Sequence, residues 1–312
     1  MKSQLLAAFV IVLGAFLLAC DGGAGDEGKL RVVATTTQIG DFAANVGGDL
    51  ISLTVLLKPN QDAHDFEPSP SQIRALERAD VILRNGIGLD AFVTKAVAAS
   101  ASKAIIVTKG IDLRDAEEGG DEDEEDASAE AEAASRDPHV WFSVANAKVM
   151  VANIRDSLTA ADAANSATYR DNASRYLAEL DGLQSRISQQ VASVPSACRK
   201  LVTNHDTVGY YAQAYGFTVV GSVIPSVSSE AKPSASDVAD IVRKIGEQKV
   251  PAIFAETSIN PALTNQVGRE AGVKVIYDLY GDSLGPKGSD GATYIKMMES
   301  NTKKIVDALR SC

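Results

Sequence analysis

Residues 167–194 read ATYRDNASRYLAELDGLQSRISQQVASV. Tyr169, Tyr176, Leu180, Leu183, Ile187 and Val191 recur at mostly three- and four-residue intervals; no proline interrupts them, and Gly182 is the one weak point. The spacing predicts a helix of about 28 residues, roughly 42 Å long at 1.5 Å per residue. That exceeds the width of one lobe, so the helix is expected to be a rigid spine between two lobes, ended by Pro195.

The chain on either side of this spine repeats one pattern. Ahead of it, apolar β-branched runs predict strands over 30–36, 51–57, 80–84 and 104–108, with helices over 38–46, 71–79, 91–99 and 145–158. Behind it, strands are expected over 200–203, 218–224, 252–255 and 274–278, with helices over 208–215, 235–248, 262–271 and 292–309. Such alternation predicts an α/β fold of two Rossmann-like lobes, each a parallel sheet flanked by helices. The boundaries read as 29–165 for the first lobe, 166–194 for the linking helix and 195–312 for the second lobe. Ligands of such sheets sit at the carboxyl ends of the strands, where the strand order reverses.

The net charge of −11 is local. Residues 115–132 hold eleven Asp and Glu and no Lys or Arg, so the remainder of the chain is electrically balanced. A balanced body lacks the basic face that nucleic-acid binding needs, and that class is set aside. The acidic stretch, 115–135, reads as a disordered surface insertion because its like charges repel one another.

Residues 1–19 read as a signal peptide: Lys2, then an apolar run from Leu5 to Leu18 too short to span a membrane. Leu17-Leu18-Ala19-Cys20 resembles the lipobox of bacterial lipoproteins, which implies cleavage before Cys20 and lipid on its thiol. Residues 20–28 follow as a Gly-rich tether. The folded body is therefore expected outside the cytoplasmic membrane, in the periplasm or on the outer face, held by a lipid anchor. In that oxidising space the two remaining thiols, Cys198 and Cys312, read as a disulfide.

The chain contains three histidines: His64, His139 and His205. Each falls in a loop or at a strand end, none in an amphipathic stripe, and each has an Asp within two residues positioned to take the far ring nitrogen. Three imidazoles suit Zn²⁺ and related divalent ions, with a carboxylate to complete a four-coordinate site. Asp278, Asp282 and Glu256 are the candidates for that carboxylate, and spacing does not choose among them.

Several stretches in this order resemble one family. They are His64 with Phe66-Glu67-Pro68-Ser69-Pro70, Asp137-Pro138-His139-Val140-Trp141, and Asn204-His205-Asp206 with Gly209-Tyr210. Val250-Pro251-Ala252-Ile253-Phe254-Ala255-Glu256 follows, then Asp282-Ser283-Leu284-Gly285 with Tyr294 and Asn301. From Lys29 to Leu309 the chain resembles the metal-binding solute-binding proteins of bacterial zinc and manganese ABC transporters, the ZnuA, TroA and PsaA-like cluster A-I group. The resemblance implies metal ligands at His64, His139, His205 and Asp282, with Glu256 near the site as a supporting residue; Asp206 is a supporting candidate by its place beside His205. It also implies two α/β lobes on one long helix with limited hinge motion.

The function implied is capture of a divalent cation, Zn²⁺ first and Mn²⁺ as the alternative, and its delivery to an ABC permease by a monomeric lipoprotein that is not an enzyme. Zinc-uptake members carry a His-rich insertion and this one is acidic only, while manganese members more often place Glu at the position of His205. Two other functions fit the sequence less well. A zinc-dependent hydrolase would use Glu256 as base, but it needs an open coordination position and no HExxH helix is present. A surface adhesin is suggested by the family's association with cell adhesion, without a supporting repeat in this chain.

Overall fold

The computed structural model describes residues 28–93, 103–116 and 135–312. The signal peptide, Cys20, nearly all of the tether, residues 117–134 of the acidic insertion and most of the helix expected over 91–99 lie outside the described residues.

The first lobe runs β1 (Leu30–Ala34), α1 (Thr37–Gly47), β2 (Ile51–Val55), α2 (Pro70–Arg78), β3 (Val81–Arg84), β4 (Ala104–Ile106) and α3 (Val144–Ala161). Its strands are all parallel, in the order β2-β1-β3-β4. Helix starts follow local chemistry: Ser69 and Gln72 form a reciprocal capping box with Pro70 in the first turn of α2.

Then comes α4 (Ser166–Ala192), a helix of 27 residues. Tyr169, Ala173, Tyr176, Leu180, Leu183, Ile187 and Val191 form its buried stripe. The second lobe runs β5 (Lys200–His205), α5 (Gly209–Tyr215), β6 (Thr218–Ile224), α6 (Ala235–Gln248), β7 (Ala252–Glu256), α7 (Ala262–Ala271), β8 (Lys274–Leu279) and α8 (Tyr294–Leu309). Its sheet is parallel too, in the order β6-β5-β7-β8.

The two orders are the same. In each sheet the first strand of the lobe has its successor on one side and the third strand on the other, so the chain reverses direction between them. A crevice opens at the carboxyl ends of β1 and β3, and another at those of β5 and β7. The lobes meet at these ends.

The long helix is more than a spine. Its stripe packs on α1 and α3 of the first lobe and on α8 of the second. One apolar core runs through both lobes, from Val32 and Phe42 through Trp141 and Tyr176 to Tyr294 and Leu309. A smaller cluster lies under α6 and α7, around Val202, Ile241 and Ile253. Shared burial of this kind resists wide opening, because separating the lobes would expose close-packed apolar surface.

Beyond α8, Cys312 is bonded to Cys198, with Cα atoms 5.9 Å apart. The bond ties the chain end to the segment before β5. The two ends of the acidic insertion are also clasped. Asp115 and Arg136 form an ion pair and an antiparallel bridge, and Asp137 N–H donates to the carbonyl of Arg114.

Candidate metal centre

The three histidines reach the interlobe cleft from two loops and one strand end. His64 lies in the loop between β2 and α2, where Asp62 Oδ1 accepts its backbone N–H at 2.9 Å. His139 opens the short turn that leads into α3, whose N-cap is Ser143. His205 is the last residue of β5. Asp282 follows β8, within which Asp278 has a left-handed backbone at φ 65°.

The four side chains converge. One ligand atom from each of His64, His139, His205 and Asp282 lies within 4.8 Å of all the others. His139 Nε2 is 3.2 Å from His64 Nε2 and 3.3 Å from His205 Nε2. Asp282 Oδ1 is 3.3 Å from His139 Nε2, and Oδ2 is 3.8 Å from both His64 Nε2 and His205 Nε2. The rings meet tilted or edge-on, so nitrogens point inward instead of faces stacking.

These spacings suit a small cation. Zn–N bonds of about 2.0–2.1 Å in a tetrahedron place neighbouring ligand atoms about 3.3–3.4 Å apart. His139, His205 and Asp282 are wholly buried, and His64 alone keeps some exposure. Among the described residues, the oxygens of Asp282 face no hydrogen-bond donor other than the imidazole nitrogens. A buried carboxylate in that state is costly unless positive charge faces it.

The protonation states follow from this crowding. Burial would raise Asp282, but the charges of His64, His205 and His139 outweigh it and hold the carboxyl well below its usual range. Burial pushes His64 down to about 4. At His139 burial works the same way, yet the bonds and charges of Asp137 and Asp282 win and push it up to about 10. His205 is raised as well, by Glu256 and Asp282 against its burial.

Behind the cluster, the expected Asp partners hold at one histidine of three. His139 Nδ1–H donates to Asp137 Oδ1 at 2.8 Å. Asp62 takes the backbone of His64, and its other oxygen accepts the Ser229 hydroxyl across the cleft at 2.6 Å. His205 corrects the expectation for Asp206: Glu256 Oε1 lies 2.8 Å from its Nδ1. Both residues end their strands, and β5 and β7 are adjacent in register, so the side chains come to lie side by side. Asp206, one step along the extended chain, points the other way and lines a cavity with Ser222, Ser226 and Asp237.

The carboxylate candidates separate in space. Asp278 is exposed, Asp282 is in the cluster, and Glu256 faces the ring nitrogen of His205 that points away from it. A base acting on metal-bound water would have to stand on the opposite side of that ring. Gly281 is required here: a Cβ on it would fall 1.4 Å from Glu256 Oε2.

Other contributors escaped the sequence reading. Asn85 Nδ2 donates to the carbonyl of Pro138, and the buried Asp90 carboxylate accepts from Thr35 Oγ1 and the N–H groups of Asn85 and Gly86. Their signal is polar residues just past β1 and β3, at the carboxyl ends where the strand order reverses.

A family model for the zinc-uptake complex component A periplasmic protein, ZnuA, matches residues 32–308. The chain belongs to that family. Among ZnuA-family relatives, the manganese-binding lipoprotein MntA of Halalkalibacterium halodurans is 29% identical over 99% of either chain. The metal ABC transporter substrate-binding lipoprotein FimA of Streptococcus parasanguinis is 30% identical over 98% of either chain. The solved structure of the periplasmic zinc-binding protein TroA from Treponema pallidum superposes with a TM-score of 0.79 at 28% identity. That match covers 90% of this chain and 99% of TroA.

Proposed function

We propose that this ZnuA-family chain captures a divalent transition-metal ion between its lobes, outside the cytoplasmic membrane, and delivers it to an ABC permease. His64, His139 and His205 hold the ion through Nε2, and Asp282 through its carboxylate. The observation that carries this reading is the Asp282 carboxylate, wholly buried and facing three converging imidazole nitrogens with no other hydrogen-bond donor beside it. No chemical step is required, and four protein ligands leave no position for a reactive water.

Zinc is the proposed cargo and manganese the alternative. Three imidazoles with one carboxylate favour zinc by donor type, while relatives named for manganese binding keep the second ion in play. Lipid on Cys20 keeps the monomeric protein beside its permease, in keeping with relatives named as lipoproteins.

Native mass spectrometry with elemental analysis, on protein purified without added metal, tests the reading. One zinc per chain in the wild type and none in Asp282→Ala is expected. A chain that takes up neither zinc nor manganese, or an Asp282→Ala variant that retains its ion, overturns it.

A further inference from the structure

Asp282 belongs to the second lobe, yet the loop that carries it is fastened mainly by the first. The carbonyl of Gly281 accepts two hydrogen bonds across the cleft, from Gln38 Nε2 and from Trp141 Nε1, each at 3.2 Å. Leu284 N–H donates to Thr37 Oγ1 at 2.7 Å, and its carbonyl accepts Asn60 N–H at 3.1 Å. Thr37 Oγ1 donates in turn to Gln38 Oε1. The loop's own lobe holds it only at the margins, with Asn301 on Tyr280 and the carbonyl of Gly291 on Gly285.

Gln38 and Trp141 are wholly buried, so neither donor has water as a substitute partner. Trp141 also lies edge-on to the ring of His139, with centroids 5.4 Å apart. One indole thus touches one proposed ligand and fastens the residue before another. A carbonyl oxygen has two lone pairs, and here each meets one donor.

We infer that Gln38 and Trp141 are positioning residues for metal capture: by sharing the Gly281 carbonyl across the cleft, they make the placement of Asp282 depend on lobe closure. This rests on the proposed function. Release of the ion then requires the first lobe to let go of residues 281–284, so the clamp sets the dissociation rate.

The shared acceptor gives the inference its own signature. Loss of one donor leaves the carbonyl satisfied by the other, whereas loss of both leaves a buried carbonyl bare. Two residues acting only as separate packing elements would have independent effects that multiply.

Zinc affinity by calorimetry, zinc release by chelator chase, and melting of the metal-free protein are compared for wild type, Gln38→Met, Trp141→Phe and the double variant. Each single variant is expected to weaken zinc by less than about tenfold, and the double variant by more than the product of the two. Release is expected to accelerate in proportion, with association unchanged. Thr37→Val, which removes the acceptor for Leu284 N–H while keeping side-chain shape, is expected to speed release by itself and serves if the double variant fails to fold. Wild-type release in the double variant or in Thr37→Val overturns the clamp, as do single effects that simply multiply. A wild-type chain that binds no zinc or manganese overturns the cargo reading and the clamp with it. Zinc held equally well by wild type and double variant overturns the clamp alone.

Discussion

Asp137 Oδ1 accepts two hydrogen bonds from His139, one from its backbone N–H at 3.0 Å and one from its ring Nδ1–H at 2.8 Å. The pair fixes the ring's rotation and its tautomer together, leaving Nε2 to point at the cleft centre. Asp137 is itself held: its backbone N–H donates to the carbonyl of Arg114, and its carbonyl accepts the hydroxyl of Tyr210 from the opposite lobe. Replacing Asp137 by Asn keeps the shape and removes the charge. Zinc affinity is expected to fall about 10- to 100-fold, read by competition with a chromophoric chelator. Affinity within twofold of wild type would leave the orientation of His139 unexplained by this contact.

Asp282 makes a different prediction, in the metal-free protein. It is one of two carboxylates that raise His139 to about 10. In Asp282→Asn the remaining support comes from Asp137, so the His139 titration, followed by NMR, is expected to move down. The Glu256 contact still holds His205 up, so its midpoint should fall less. A His139 midpoint unmoved by the substitution would separate the two groups electrostatically.

Much of this arrangement is legible in the sequence itself. Apolar runs such as residues 200–205 bounded by polar ends betray strands, and the stripe of Tyr176, Leu180, Leu183 and Ile187 betrays the long helix, because both patterns depend on near neighbours. Glu256 is named there as a supporting residue, but its pairing with His205 is not readable. Asp206 is adjacent in sequence, but Glu256 reaches the ring because β7 lies beside β5 in the sheet, an adjacency set by packing of the whole lobe. Spacing does not choose between Asp278 and Asp282; the family resemblance names Asp282, and the structure places Asp282 in the cluster and leaves Asp278 exposed. Gln38 and Trp141 meet Gly281 only once two lobes close on each other, so although Trp141 stands in a family motif, no local pattern gives either residue this contact.

The Cys198–Cys312 bond joins residues 114 apart, outside the metal centre. By the chain-entropy account a closure of this length contributes about 4–5 kcal/mol, chiefly by constraining the unfolded chain. The double variant Cys198→Ala with Cys312→Ala is expected to melt on the order of 10 °C lower by calorimetry. Its zinc stoichiometry should not change, since neither residue approaches the cluster of His64, His139, His205 and Asp282. Equal melting temperatures would assign the bond no role in stability.

The pH dependence of capture follows from which imidazoles hold protons without metal. Burial keeps His64 near 4, so it is neutral throughout the working range. His139, at about 10, keeps its proton at neutral pH, and an arriving ion must displace it; the raised His205 acts in the same direction. Affinity is therefore expected to keep rising above pH 6.5, by about tenfold per pH unit for each proton displaced, and not to level off at the ordinary histidine value. Stability has the matching sign. The raised folded-state value at His139 stabilises the metal-free protein fully below pH 6.5, and that contribution is lost as pH climbs toward 10; the raised His205 contributes with the same sign. The lowered Asp282 contributes above pH 4, so it stays constant across the same window. The melting temperature of the metal-free protein should then fall between pH 7 and 9 while that of the zinc-loaded protein holds, and the gap should widen. Scanning calorimetry of both forms at pH 6, 7, 8 and 9 measures it, and a constant gap would mean that zinc displaces no proton from either histidine.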